Sequence, residues 1–474
     1  MSTITSDQPG SDVMAKCIES LPNELLAHIF TLGANTPYDE KPFAVLVSSV
    51  GRRWRDIAIS TPSVWSNLVF TTVVHRDRRL AALWLSRSGA HPLDITIDKM
   101  GAKEHIMDII IPYISRWRRL VVKAWDRDDI EVVLSPLRTA SAPLLQHVAF
   151  CCLEDEVKES WPSHERCLTI DTPVLRSVRL RGLCLECGPP QIGLTSIQLD
   201  SHEIFFTHRE IYDFLSASPG LTTLMLRLLR VELPGDTNLP VIELSSLRSL
   251  AMNFRHCELS FVYLFACFST PALDCLELIH MNRIQTDEFN TYCSRHSLSP
   301  QYPNLQKLKL FSCGGLVNSS DGTSEDHMME DFLAFFPTIT SLYRMESKTK
   351  LATPPHFPYL KYITFSSTAW NETEWLYDEI EARRGIGQQV LHVRLSRYTH
   401  LVNESALSRL DKLVEVVQLD DDSDSFRYTG ESDDEMEDDY VGSDKISEYS
   451  NEEWDEWEND EEVDEDAWNS DSDY

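Results

Sequence analysis

The residues in this sequence that could do chemistry are numerous but unassembled. Cys184-Leu185-Glu186-Cys187 has the spacing of half a zinc site or of a redox pair. A structural zinc takes four ligands; no second CxxC and no suitably spaced histidine pair follows, and Cys151-Cys152 is adjacent rather than spaced. These thiols therefore read as structural. The 15 histidines are dispersed, none of them in HExxH, and no GxSxG, GxxxxGK[ST] or GxGxxG occurs. Asp128-Asp129 lies in a polar stretch and reads as a solvated face. The expectation is a non-enzyme with no catalytic residue, no metal and no cofactor.

The 474 residues carry a formal charge of −32, but that charge is concentrated. From Asp420 to Tyr474 the chain holds 26 acidic residues against only Arg427 and Lys445, a net of −24. The remainder is close to neutral, without the clustered Lys and Arg that displace counterions from nucleic acid, so no direct nucleic-acid partner is expected. The tail is poor in aliphatic residues and is expected to be disordered. Its aromatics, among them Trp454, Trp457 and Trp468, and serines 432, 450 and 470 upstream of acidic residues leave room for a basic partner and for phosphorylation. The longest apolar run, Phe261 to Phe268, is far too short to cross a bilayer, and Met1 to Lys16 lacks the pattern of a secretory signal. The expectation is cytoplasm or nucleus, with the 11 cysteines reduced.

The most informative stretch is Ile18 to Phe70. Pro22 and Glu24 suit a first helical turn, where a missing N–H costs nothing and a negative charge meets the positive end of the helix dipole. Leu25, Leu26, Ile29, Phe30 and Leu32 follow at helical spacing, and Gly33 is expected to stop the helix before a polar loop with Pro37, Asp39 and Pro42. A second helical stretch sets Leu46, Val47, Val50, Trp54 and Ile57 on one stripe beside Arg52, Arg53 and Arg55. Thr61-Pro62 then restarts the chain and delivers Trp65 and Leu68. Three helices in about fifty residues cannot enclose a core of their own, so an apolar patch is expected to face a partner.

LPNELLAHIFTL followed by LVSSVGRRWRDIAISTPSVWSNL closely resembles the F-box, the module that docks onto the Skp-type adaptor of cullin–RING ubiquitin ligases. The resemblance implies that Leu21, Pro22, Leu25, Leu26, Ile29 and Phe30 face the adaptor, and that Val47, Val50, Trp54 and Trp65 complete or support that surface. Two departures stand out. Gly51 occupies a position where members often carry Cys, and the loop from Gly33 to Pro42 is longer than many. Inside the middle helix Gly51 would cost about 1 kcal/mol relative to Ala.

Beyond the linking helix at Asp77 to Gly89 and the alternating strand His91 to Asp98, a phrase recurs: Pro, any residue, Leu, two residues, an apolar, one residue, an apolar. Good copies place Leu145, Leu175, Leu194, Leu221, Leu247, Leu273, Leu305 and Leu360 in the leading position, with weaker ones at Ile339, Val390 and Val414. The separations are ragged, with a mean of about 27 residues, inside the 20–29 of leucine-rich repeats. Each phrase is a bend feeding a short strand, and segments such as Glu210 to Ser218 and Asp326 to Phe336 can cover the far side as helices. Single repeats cannot bury their apolar face, so they must stack. The Asn usual to the motif is mostly missing, and Cys257 and Cys313 stand at comparable distances after their strands.

The expected fold class is α/β: a disordered N-terminus (1–17), a three-helix F-box (18–70), a linker helix with the first strand and helix units (71–142), an irregular leucine-rich-repeat solenoid (143–419) and a disordered acidic tail (420–474). The order F-box then irregular repeats resembles a large set of fungal F-box proteins. That resemblance implies a non-catalytic substrate receptor, binding the adaptor through its front helices and an unknown protein through its repeats, for ubiquitination, with no membrane partner. The alternative from another class is an interaction scaffold without ligase function, using the repeat surface and the acidic tail, with basic nuclear partners.

Overall fold

The structure is a computed structural model. It describes residues 18–419 apart from position 19 and the segments 35–42, 71–73, 99–104, 154–169, 186–192, 201–204, 228–229, 233–238, 255–266, 297–301, 314–331, 334, 346–356, 367–370, 386, 388–389, 391 and 397–407. The loop at Pro37 to Pro42, Cys187, Cys257, most of Asp326 to Phe336, the N-terminal segment 1–17 and the acidic tail lie outside the described residues. The chain divides into two units, Met1–Val417 and Gln418–Tyr474, and the second is described only at residues 418 and 419. No helix among the described residues is long and apolar enough to cross a membrane.

Three short helices come first: α1 (Asn23–Ala34), α2 (Phe43–Val50) and α3 (Arg52–Ile59), followed by a 3-10 turn at Pro62–Trp65. The middle stretch expected as one helix is two, because Gly51 between them is fully extended at φ 175°, ψ 170°. An extended φ breaks the hydrogen-bond ladder whatever the side chain, so the expected helix-interior cost of this glycine does not arise. Gly33 does not stop α1 either. The helix runs one residue further, and the absent side chain serves the Phe43 ring instead: a Cβ on Gly33 would sit 2.2 Å from that ring.

Beside two short parallel pairs, Phe205–Thr207 with Arg230–Glu232 and Ile242–Glu243 with Phe268–Ser269, the remainder is built around one long sheet. Its fourteen strands are β1 (Asn67–Phe70), β2 (Leu93–Asp98), β3 (Trp117–Ala124), β4 (His147–Cys152), β5 (Ser177–Arg181), β6 (Ser196–Asp200), β7 (Thr223–Arg227), β8 (Ser249–Asn253), β9 (Cys275–Ile279), β10 (Lys307–Phe311), β11 (Ser341–Met345), β12 (Tyr362–Ser366), β13 (His392–Ser396) and β14 (Glu415–Leu419), in sheet order identical to chain order. Neighbours pair in parallel and in near-constant register, as in Leu224↔Leu250↔Leu276↔Leu308↔Leu342. Parallel strands added one after another in chain order are the arrangement of a leucine-rich-repeat solenoid.

The recurrent phrase has a simple cause. In every good copy that begins with Pro-x-Leu, the leucine N–H donates to the carbonyl three residues back, as from Leu145 to Ala142, Leu273 to Thr270 and Leu305 to Tyr302. The proline therefore holds the second position of a β-turn, where its fixed φ belongs. The leucine swings inward, and strand alternation sends the next two apolar residues of the phrase to the same face. Leu175, Val178 and Leu180, like Leu221, Leu224 and Leu226, are all buried.

The sheet starts earlier than the phrase does. β1 lies inside the segment expected as F-box, β2 is the strand expected at His91 to Asp98, and β3 joins it in the region 71–142, with Leu68, Ile95 and Leu120 in the same inward column as the later leucines. Helices return the chain between strands: α4 (Val74–Arg87), α5 (His105–Ile110), α6 (Arg127–Leu134), α7 (His208–Ser216), α8 (Arg283–His296) and α9 (Asn371–Gly385). Side chains cap three of them, and on α6 the Asp126 carboxylate accepts from the Asp129 N–H at 2.8 Å. Thr207 and Glu210 form a reciprocal capping box on α7, and Asn282 and Gln285 exchange backbone bonds at the start of α8. One apolar core runs from Leu26 in α1 to Val414, so the front helices and the repeats share an interior.

Cys313 takes over part of the work of the missing Asn. Its buried Sγ lies 3.3 Å from the carbonyl oxygens of Leu278, on the preceding strand, and of Phe311. Burial pushes its thiol up to about 12, which keeps it a neutral donor.

Candidate functional site

Apolar spacing gives α1 two stripes, and only one of them can face inward. Residues 26, 30 and 34 follow one another at four-residue steps, as do 25 and 29, with 32 three further on; one residue on a helix is 100° of rotation, so the stripes look in different directions. Leu26 and Phe30 are 1% exposed and belong to the core, whereas Leu25, Ile29 and Leu32 are 50%, 47% and 59% exposed. The expectation that Leu26 and Phe30 face a partner is corrected accordingly. Leu32 extends the outward stripe by one turn, and its three-residue step from Ile29 was the signal for it.

The other expected residues sort the same way. Val47 and Trp65 are buried, Leu21 and Trp54 are partly buried against the core, and Pro22 and Val50 are exposed, Val50 at 62%. Val47 and Trp65 therefore act from below. The Trp54 ring meets the Phe30 ring at 5.0 Å, and the Trp65 Nε1 donates to the Ala58 carbonyl at 2.7 Å. The Arg87 guanidinium from α4 lies 4.4 Å from the Trp65 ring centroid, tying the front helices to the first repeat.

The Arg-Arg-Trp-Arg run is a brace. Arg53 donates to Asn23 Oδ1 at 2.8 and 3.1 Å and to the Leu21 carbonyl, so α3 grips the first turn of α1. Arg55 Nε donates to the Ser48 carbonyl at 3.0 Å, closing the corner at Gly51. At the other end of α1, Thr31 and Ser63 hydroxyls meet at 2.8 Å, and the Asn67 amide donates to the Ala34 carbonyl at 3.2 Å. The result is a helix fixed at both ends that turns a rank of leucine and isoleucine to solvent.

The sheet offers a second surface, the face opposite the leucines. Toward its C-terminal strands several basic side chains stand beside a carboxylate: Lys307 with Asp274 at 3.4 Å, Lys309 with Glu277 at 3.3 Å, His392 with Glu415 at 2.8 Å. At the far ends of β5 to β8, Arg181, Asp200, Arg227 and Asn253 form a row in register; Asp200, Arg227 and Asn253 are buried, and Arg181 lies 3.9 Å from Asp200. No group of three or more metal-ligating side chains occurs among the described residues. Cys184 is partly buried, and its CxxC partner lies outside the described residues.

Comparison with known proteins agrees with the front helices. Residues 18–71 match the F-box-like family, so this segment is an F-box-like domain, and a leucine-rich-repeat solenoid follows it. No curated protein matches the chain. Among solved structures, a crystal structure of a TLR13–ssRNA13 complex is similar, at 14% identity and a TM-score of 0.21, over 64% of this chain and 56% of that one. The chain thus spans little more than half the length of that protein.

Proposed function

We propose that this protein is the substrate-recognition subunit of a cullin–RING ubiquitin ligase. The outward stripe of α1, with Leu25, Ile29 and Leu32, binds a Skp-type adaptor, and Pro22 and Val50 border the contact. Leu26, Phe30, Val47, Trp54 and Trp65 hold that stripe in place. The sheet face opposite the leucines holds a protein substrate. The chain itself is non-catalytic, and the proposal sets its site of action in the cytoplasm or nucleus.

The single observation that carries this reading is the exposure of Leu25, Ile29 and Leu32 on a braced helix inside an F-box-like domain. Completing the burial of one such side chain contributes roughly half of the 1.5–3 kcal/mol that full burial provides. Three or four together make a rigid, low-cost docking face. The receptor then acts by proximity, holding a substrate lysine near a charged ubiquitin carrier and raising its effective concentration.

The test is affinity capture of the full chain, read by mass spectrometry. The expected result is recovery of a Skp-type adaptor together with a cullin. Capture that brings down other proteins reproducibly but neither of these contradicts the proposal.

A further inference from the structure

The face opposite the leucines carries both paired and unpaired cations, and three unpaired arginines stand close together across β3 to β5. Arg119 of β3, Arg176 just before β5 and Arg179 of β5 have no carboxylate within 4.0 Å and no side-chain hydrogen bond among the described residues, in contrast to Lys307, Lys309 and Arg181 on the same sheet. Asp94, which the register sets beside Arg119, is already engaged by Arg118, which donates to its Oδ1 at 2.8 Å and also to Oδ2. Register places Arg119, His147, Ser177 and Ser196 in one row, and Arg179 beside Gln198 in the next. Arg179 Nε and Gln198 Nε2 are buried and have no hydrogen-bond partner among the described residues. Arg118, Arg119 and Arg176 all bear on His147, which holds its proton less readily than an ordinary histidine, first through burial and then through these positive neighbours, against Asp94. The patch is therefore rich in donors and positive in a chain of charge −32.

We propose that the β3–β5 patch is the substrate-docking site and that its ligand is an extended, carboxylate-rich peptide segment of the target protein. The inference rests on the receptor reading and gives it a substrate class. Strands about 4.8 Å apart and residues about 3.3 Å apart put Arg119 and Arg179, two strands and two residues removed, about 12 Å apart. In an extended peptide, whose successive side chains alternate between faces, that is close to the separation, about 13 Å, of same-face side chains four residues apart. Arginine's planar fork matches a carboxylate with two parallel bonds, and the Ser177 and Ser196 hydroxyls, in register with Arg119, offer further donors. Nucleic acid fits less well. The cationic zone is three strands wide, the next residues in the Arg179 row are Gln198, Met225 and Ala251, followed by Glu277, and that is too short a track for the several phosphates a stable complex neutralises.

The experiment is fluorescence anisotropy on the full chain with a labelled decapeptide carrying Glu at every fourth position between Ser and Gly. A Lys-for-Glu peptide, a peptide with phosphoserine in place of Glu and a single-stranded RNA of equal charge serve as comparisons. The proposal predicts that the Glu peptide binds, that the Lys peptide does not, and that affinity falls with added salt. Arg119→Glu with Arg179→Glu weakens binding at least tenfold, and the milder Arg119→Gln with Arg179→Gln weakens it by a smaller factor, with unchanged melting temperature. Ile29→Glu leaves peptide binding unchanged, so a failure of adaptor docking reads separately from a failure of this site. Equal binding by the double-glutamate variant, tighter binding of RNA than of the Glu peptide, tighter binding of the phosphoserine peptide than of the Glu peptide, or no binding of the Glu peptide overturns the proposal.

Discussion

Arg53 reaches from α3 to the first turn of α1 and donates to the Asn23 side chain at 2.8 Å, so the helix that carries the docking face is anchored by a residue that need not touch a partner. Hydrogen bonds to a charged group contribute about 1.5–3 kcal/mol when shielded, and exposure here lowers that to about 1 kcal/mol. Arg53→Ala should therefore speed amide exchange in the first turn of α1 and weaken adaptor binding severalfold, while the repeats exchange as before. Arg53→Lys should not restore the wild-type rate, because a single ammonium cannot span Asn23 and the Leu21 carbonyl at once.

The two glycines of the front helices should behave oppositely. A Cβ at Gly33 collides with the Phe43 ring, whereas one at Gly51 meets nothing within 4 Å, and its extended φ suits any residue. Overpacking of this kind costs about 1–3 kcal/mol, and a neutral surface change stays within about 0.5 kcal/mol. Chemical denaturation should show Gly33→Ala destabilised and Gly51→Ala close to wild type.

This contrast also shows where the sequence was legible. The period of the Pro-x-Leu phrase identified the repeats, and the structure places those leucines in one inward column because a proline turn precedes them and strand alternation follows. β1 to β3 escaped the phrase because they lack the Pro-x-Leu turn, although Leu68, Ile95 and Leu120 stand in the same column. In α1 the apolar residues were evident, but spacing alone does not say which of two stripes a core will claim; burial of Leu26 and Phe30 in the shared core, with the Trp54 ring against Phe30, decides it. Gly51 read as a helix interior because apolar periodicity continues across it from Leu46 to Ile57. The unpaired arginines of β3 and β5 were invisible, since charge compensation depends on which strands become neighbours.

His147 and His208 tie stability to pH. Burial lowers both, with Arg119, Arg118 and Arg176 adding to the effect on His147. A folded state that binds a proton less readily than the unfolded chain gains stability as pH rises, so these two groups contribute fully above the ordinary histidine value of about 6.5 and lose that contribution as pH falls below it. Following the His147 ring protons by NMR should give a midpoint below that of a free histidine. Arg119→Gln should move the midpoint upward without restoring the ordinary value, since burial is the larger cause.

Thiol reactivity should follow burial. Cys313 at about 12 and Cys267 at about 11 remain protonated, and the thiolate is the reactive form. Brief iodoacetamide treatment at pH 8 should leave both unmodified in the native chain, as read by peptide mapping, and label both after denaturation.

The most direct measurement is the affinity of a purified Skp-type adaptor for the chain with Leu25→Glu and Ile29→Glu, beside Leu26→Ala as a core control. The account predicts that the double-glutamate variant melts like the wild type and loses adaptor binding at least a hundredfold, because charge is placed only where the helix faces solvent. Leu26→Ala should instead lower stability by about 2–5 kcal/mol. Adaptor affinity unchanged by the two glutamates, on a protein that is still folded, would contradict the account.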